Sequence, residues 1–514
     1  MPLMTLLLLG CCVALAVAAD AGPELLPPRR TLGDLGVPGT YRAANDLAVD
    51  ISEYAGYAGL IVANGGLQPA PDSFLARQYG LRLQLRLSES ENWRQLNEGR
   101  FAATVTTADT LALLGSRMRV VVPVLLSYSR GADAVVARHD IATINQLRGQ
   151  RVVLPQFTEA EFFLRYLAAE ADVPVRVSPD PAAAADPGAI NLVFAADGFA
   201  AGDRFLAELD GGRLAACVTW APKTEEVVQA AGGRARVVVS NRNLLIIADV
   251  LLVNAGFARE QPQAVRGLVH GILEGNRRLR EEPERWLPLV AAAFGWEPAE
   301  ARRELAKVHL ANRAENLAFF SGTMDAAGSF SYILQSANAV YSDYGADPLD
   351  PAQLLDLGHL QALAASYPGE RVQIAPLAIG DRPLEPSTVL TRDIRFYFRP
   401  NSAELAEDSP DNLANLERLA GWLRASPGSV LLLIGHVEPS RREELRAQWG
   451  RAEADARARR LGEERASAVR DAVLRRCPVG ERVMAQSRGW EEPIPGESDL
   501  AKNRRVEVRW QVLE

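Results

Sequence analysis

The chain has 514 residues, of which 48% are hydrophobic and 23% charged, and a formal net charge of −8. This composition is globular and excludes both a disordered chain and a many-times membrane-spanning one; at roughly 100 to 200 residues per domain it allows two or three units. The acidic balance argues against a nucleic-acid partner, because phosphate binding needs a surface that neutralises several phosphates.

The N-terminal stretch MTLLLLGCCVALAVAAD is a continuous apolar run that ends in small residues, with Val17 and Ala19 placed for cleavage before Asp20. We read residues 1–19 as a secretory signal whose positive end is the α-amine alone. Two alternatives stay open: Leu8-Leu9-Gly10-Cys11 loosely resembles a lipoprotein box, and an uncleaved segment is barely long enough to anchor in a bilayer. Cys11 and Cys12 fall in this segment, and Cys217 and Cys477 are far apart, so no disulfide framework is expected. No C-x-x-C, H-E-x-x-H or G-x-x-x-x-G-K occurs and the five histidines are scattered, so neither a metal nor another cofactor is expected.

From residue 44 to 341 short apolar runs alternate with helix-length amphipathic segments. LIVANG, RVVVPVLLS, DAVVARH, RVVLPQ, INLVFA, ARVVVS and IIADVLLVN read as strands; LNEGRFAATV, TINQLRG, EFFLRYLAAEA, AGDRFLAEL and PQAVRGLVHGILEGNRRL read as helices or their turns. The alternation predicts an α/β fold of two lobes with mostly parallel sheets. Ligands in such folds sit at the carboxyl ends of strands. Strand ends here offer Tyr57, Thr107 with Asp109, the turn Tyr128-Ser129-Arg130-Gly131, Trp220 and Asp249. Arg130 could clamp an oxyanion, or be a surface residue of a crossover. Thr107 or Asp109 could cap a helix, Trp220 could be core, and Asp249 a turn residue. Thr158 followed by Glu161 predicts a capping box. Glu159 and Glu161 at that helix start would disfavour a simple inorganic anion there if they faced a cleft. There is no G-x-S-x-G elbow and no His placed beside a Ser or Cys, so no catalytic residue is expected.

Between 342 and 388 the periodicity fades, and the proline-bearing GERVQIAPLAIGDRPLEPST reads as a linker. A last unit, 389–514, begins with the strand-like RDIRFYF. A helix follows with Leu413, Leu416 and Leu423 on one face, then the strand SVLLLIGH, a long helix to Arg476, and the strand RRVEVRWQVL. GHVEP places Glu438 just past a strand end, and Arg465 sits on the following helix. Together a carboxylate and a guanidinium would suit a zwitterionic amino-acid head, and equally both could be solvated surface charges. The arginine-rich stretch RREELRAQWGRAEADARARR between them is expected to pair with its own acids along a helix.

GYAGLIVANGG, TTADTLALL, YSRGADAVVARHDIATINQLRGQRVVLPQ, CVTWAP and IIADVLLV are similar, in order and spacing, to the periplasmic solute-binding proteins of the nitrate, sulfonate and taurine import type, a group that includes thiamine-precursor binders. The resemblance implies a two-lobed periplasmic-binding-protein fold (type II) closing by hinge motion on a small polar solute: a sulfonate, nitrate, an amine-bearing or a thiamine-precursor-like molecule. It also implies ligand contacts at Tyr57, Thr107, Ser129, Thr158, Trp220 and Asp249, and an ABC permease as partner. FYFRPNSAEL, LLLIGHVEP, LGEERASAVRDAVL, RGWEEPIP and AKNRRVEVRW resemble the OmpA-like peptidoglycan-binding domain, a smaller α+β unit. That resemblance implies a peptide-stem site at Glu438 and Arg465, with Glu where the family has Asp. The expectation is an exported, non-enzymatic solute-binding protein held to peptidoglycan in the periplasm of a Gram-negative-type envelope. Membrane anchoring is added if the N-terminal segment is kept. The alternative is an envelope sensor or scaffold using the same lobes.

Overall fold

Two large sheets share the first part of the chain, which builds one, leaves it, and comes back to finish it. The computed structural model describes residues 23–43, 46–88, 92–180, 183–322, 328–345, 348–377, 386–399 and 402–513. The expected leader, with Cys11 and Cys12, lies outside the described residues. The first sheet begins with β1 (Leu47–Ile51), β2 (Leu83–Leu87), β3 (Ala103–Thr107), β4 (Val120–Val121) and β5 (Leu125–Ser129). The chain then crosses through residues 130–132 into the second sheet. There it forms β6 (Asp133–Arg138), β7 (Arg151–Pro155), β8 (Val175–Val177), β9 (Ile190–Ala195), β10 (Ala216–Trp220) and β11 (Ala235–Ser240). Residues 241–247 cross back, and β12 (Ala248–Asn254) and β13 (Val308–Leu310) complete the first sheet. The strand orders are β13-β5-β12-β3-β1-β2, with β4 on β12, and β11-β6-β10-β7-β9-β8.

Both sheets are mixed rather than mostly parallel. β1 runs parallel to β2 and β3, and β7 to β9 and β10, but β12 is antiparallel to β3, β4 and β5, and β6 to β10 and β11. The physical reason is that a strand fed by a crossover enters its sheet against the direction of its neighbours. Two elements differ from expectation. LIVANG lies in the helix Ala58–Asn64, whose seven residues are all buried; a helix enclosed on every side shows no amphipathic period. The ATV that ends LNEGRFAATV belongs to β3, likewise buried throughout.

The segment expected to be a linker is folded against the first unit as far as it is described. Leu354, Leu360, Leu363, Tyr367 and Ile374 are buried. Val122 donates its N–H to Leu354 O at 2.8 Å, and Glu315 accepts from Gln373 N–H at 2.9 Å. Five apolar side chains with irregular spacing bury as well as periodic ones do, which is why fading periodicity did not mean a loose chain. Residues 378–385 lie outside the described ones.

The last unit is a four-stranded sheet in the order β14-β17-β15-β16, made of β14 (Pro386–Ile394), β15 (Val430–His436), β16 (Val483–Gly489) and β17 (Val506–Leu513). RDIRFYF therefore ends its strand at Ile394 and starts it earlier, at Pro386. Helices Pro410–Ala425 and Arg451–Arg476 contact this sheet; the rings of Trp422 and Trp510 stack between them 5.1 Å apart, both fully buried. Leu416 and Leu423 are buried, but Leu413 is 41% exposed, so the apolar face is narrower than expected. The helix Arg451–Arg476 lies so close to β15 that a Cβ on Gly435 would stand 2.0 Å from Gly462 O. The charged stretch before it breaks at Gly450 (φ +81°) into two helices. It pairs largely with itself: Arg446 with Asp455 at 2.9 Å, Arg441 with Glu444 at 2.6 Å and Arg457 with Glu453 at 2.7 Å.

This unit docks on the other two. Leu245 in the returning crossover donates to Ala425 O at 2.6 Å. The Asn243 amide donates to Leu377 O at 3.0 Å and Leu513 O at 2.8 Å, and accepts from Leu377 N–H at 2.8 Å. Trp422 Nε1 donates to Glu170 at 2.6 Å, and Asn145 exchanges two hydrogen bonds with the backbone of Thr391.

Candidate functional site

Strand ends do not terminate at random here: β3, β5 and β12 all finish or begin beside the two crossovers. Register sets Asp249 opposite both Thr107 and Ser127. Asp249 accepts from Ser127 Oγ at 2.7 Å and, more weakly, from Tyr57 OH at 3.4 Å. Thr107 Oγ1 pairs with Thr110 Oγ1 at 3.0 Å. Ser129 Oγ donates to Asp133 at 2.8 Å across the first crossover. Asn241 stitches the two crossovers together. Its Oδ1 accepts from Gly131 N–H at 2.7 Å and Asp133 N–H at 3.2 Å, and its Nδ2 donates to Ser129 Oγ and Asp133, both at 2.8 Å. Gly131 has φ +101°, a conformation that favours glycine at this tight turn.

Three carboxylates are thereby enclosed together. Asp109, Asp133 and Asp249 are all under 5% exposed. Burial pushes Asp249 up to about 8, with the charges of Asp133 and Asp109 adding to it and Ser127 and Tyr57 opposing. Burial pushes Asp109 to about 7 and Asp133 to about 6. The charges of Asp133 and Asp109 act on Asp249, and that of Asp133 acts on Asp109. Both Asp109 oxygens are buried without a hydrogen bond of good geometry, and the Tyr54 hydroxyl beside this cluster is likewise enclosed. Arg130, the expected oxyanion clamp, turns away. Its Nε donates to Arg242 O and its Nη2 to Asn243 Oδ1, each at 2.9 Å.

The second sheet contributes differently. Thr158 precedes the helix Glu159–Glu170, but no capping box forms: Thr158 Oγ1 donates back to Pro155 O at 3.3 Å, and Glu161 accepts from Phe157 N–H at 2.8 Å. Phe157, at φ +65°, turns its N–H one residue too early for the box. Glu161 is neutralised in place by Arg165 at 2.8 Å and accepts from Tyr344 OH at 2.6 Å, so it adds no free charge to the junction. Tyr341 OH donates to Thr158 O at 3.2 Å, and the charges of Glu161 and Asp109 both reach its hydroxyl. It follows the helix Phe330–Val340, which packs against Ala108–Leu114 on one side and Glu159–Glu170 on the other. Trp220 stands opposite Asp133 in register and covers Gly198 and Phe199.

Of the six expected contacts, Tyr57, Thr107 and Asp249 come together directly, and Ser129 joins them through Asp133. Thr158 joins them only through Tyr341, and Trp220 only through the backbone beside Asp133. Asp133, Ser127, Asn241 and Tyr54 were not singled out from the sequence. Their signal is positional: each lies within a few residues of a crossover or strand end already marked.

In the last unit Glu438 pairs with Arg504 Nε at 3.1 Å rather than with Arg465. Arg465 lies with its guanidinium 5.2 Å from the Phe398 ring centre and its Nε buried without a partner. Burial, and then the charge of nearby Arg504, lower its pKa. His436, buried under this loop, stands 3.3 Å from Glu507, whose pKa the His436 contact draws down to about 2. Glu438, Arg504 and Arg465 thus form one carboxylate with two guanidiniums.

No family model and no curated protein sequence matches the chain. Solved structures similar to it include the periplasmic aliphatic sulphonate binding protein SsuA from Escherichia coli, at 14% identity and a TM-score of 0.45 over 61% of this chain and 97% of that one. The alkanesulfonate-binding protein SsuA from Xanthomonas axonopodis pv. citri, bound to MOPS, is similar at 13% identity and 0.43 over 62% and 100%. The desulfurization enzyme DSZB is similar at 15% identity and 0.39 over 62% and 98%. At these identities no side-chain role carries across.

Proposed function

We propose that this is an exported solute-binding protein whose two lobes close on a small polar solute at the junction of their sheets for delivery to an ABC permease. Its last unit holds it to peptidoglycan through Glu438 and Arg465. One observation carries the solute reading: two sheets are joined by two short crossovers, pinned to each other by Asn241, with an enclosed polar cluster at the join. Such a connection lets two rigid bodies rotate about a narrow axis. The cluster offers hydroxyls and carboxylates in a dry setting, where a polar solute gains most from fixed partners. The test is thermal unfolding of the full chain against a panel of sulfonates, nitrate, amines and aminopyrimidines. At least one solute is expected to raise the midpoint, and Ser129→Ala with Tyr57→Phe to abolish the rise. A panel without effect, or a rise indifferent to both substitutions, contradicts the reading.

The wall reading is supported by the placement of Glu438 beside two arginines, which suits a stem-peptide amino acid with both an ammonium and a carboxylate. The protein is expected to sediment with diaminopimelate-type peptidoglycan, and Arg465→Ala to stay in solution. Sedimentation unchanged by Arg465→Ala and Glu438→Ala would place the grip elsewhere. A sensor or scaffold reading has its own support: the last unit is bonded directly to the returning crossover, so lobe motion and domain docking are coupled.

A further inference from the structure

The junction gathers three buried carboxyls that ionise fully only when a cation answers them. Three carboxylates come from three elements: Asp109 from the turn after β3, Asp133 from the start of β6 and Asp249 from β12. The groups that face them directly are uncharged or acidic, and Arg165, whose charge reaches Tyr341, is held by Glu161 at 2.8 Å and Asp343 at 3.2 Å. Ser127 and Tyr57 face Asp249; Ser129 and Asn241 face Asp133; Thr107 and Tyr341 face Asp109; Tyr54 lies beside Asp249 and Asp133. The buried guanidinium of Arg130, next in sequence to Ser129, donates from Nε to Arg242 O and from Nη2 to Asn243 Oδ1 in the returning crossover. Asp109 is fully buried, and no hydrogen bond of good geometry reaches either of its oxygens, the Thr107 hydroxyl being the side chain beside them. A buried acceptor left unmade costs free energy that a donor from a ligand would recover. Among the described residues no three acidic, His or Cys side chains converge closely enough to hold a metal ion.

We propose that the junction binds an organic amine in its cationic form, with Asp109 as its principal partner and Asp249 and Asp133 completing the negative field. This rests on the solute-binding reading above and names the ligand class for it. An anion such as a sulfonate would keep these acids protonated and, as they ionise with rising pH, would meet like charges that cost binding. Because the three acids titrate near neutrality, seating a cation drives protons off them, so affinity rises with pH while the amine stays protonated.

The experiment is isothermal titration of the full chain with three probes that differ only in their ends: ethanolamine, taurine and ethanesulfonate. Each is run at about pH 6 and about pH 8.5, in two buffers of different ionisation heat. Ethanolamine and taurine are expected to bind about 10-fold tighter at the higher pH, with proton release, and ethanesulfonate not to bind. Asp109→Asn is expected to lose at least ~10-fold in amine affinity and part of the proton release. Circular dichroism confirms that the variant is folded. Ethanesulfonate binding that survives Asp109→Asn would overturn the amine assignment while leaving the solute reading intact. No binding by any of the three would also overturn it, and the solute reading is then judged by the wider thermal panel.

Discussion

Asp249 shows how one residue sets a pH dependence for the whole protein. Its pKa stands at about 8 because burial penalises its charge, and Asp109 and Asp133 follow at about 7 and about 6. In the unfolded chain all three titrate near the ordinary aspartate value. Between about pH 4 and 8 the folded state therefore holds more protons than the unfolded one. The stability from these groups is present at the acid end and lost as pH rises through their folded pKa values. Asp249→Asn removes the largest of these costs and keeps the shape. It is expected to raise the unfolding midpoint by about 3–6 °C near pH 8.5, and by less near pH 5. Thermal unfolding at both pH values checks this; a gain that does not grow with pH would mean that Asp249 is charged and paired in the folded state. Asp249 and Asp109 were visible in the sequence as polar residues at the ends of apolar runs. Their partnership was not, because Asp133 and Asn241 meet them only through a register that spans more than a hundred positions of chain.

At the scale of elements, what was legible followed from burial pattern. β6, β7, β9, β11 and the helices Glu159–Glu170, Gly198–Glu208 and Pro262–Glu281 lie where short apolar runs and amphipathic stretches predicted. The helix Ala58–Asn64 and the strand β3 were exchanged for each other's type. Both are buried throughout, so neither period 2 nor period 3.6 shows in their side chains. The helix Phe330–Val340 was not anticipated as part of the junction. Its apolar face is ordinary, and only the packing shows that it touches both lobes. GHVEP was legible as a strand end carrying an acid, and β15 ends at His436 as expected. That Glu438 takes Arg504 from just before β17, rather than Arg465, depends on β17 and β15 being neighbours in the sheet. Strand order of that kind is written in tertiary contacts rather than in any local stretch.

At the scale of the molecule, three sheets meet around one short segment. Residues 241–247 carry the second crossover, and Asn243, Leu245 and Asn241 bind the last unit and the first crossover at once. Helix Phe330–Val340 and Tyr341 bridge the lobes from another side. Any rotation of the lobes must work against these bonds, so the junction proposed to take up solute is braced at the crossovers. The most direct measurement is amide hydrogen exchange over the full chain, with and without the solute giving the largest thermal shift. Closure on a solute at the junction predicts slower exchange at residues 54–57, 107–110, 129–133 and 241–249, with β15 unchanged. Slowing confined to the last unit, or no slowing at the two crossovers, would contradict it.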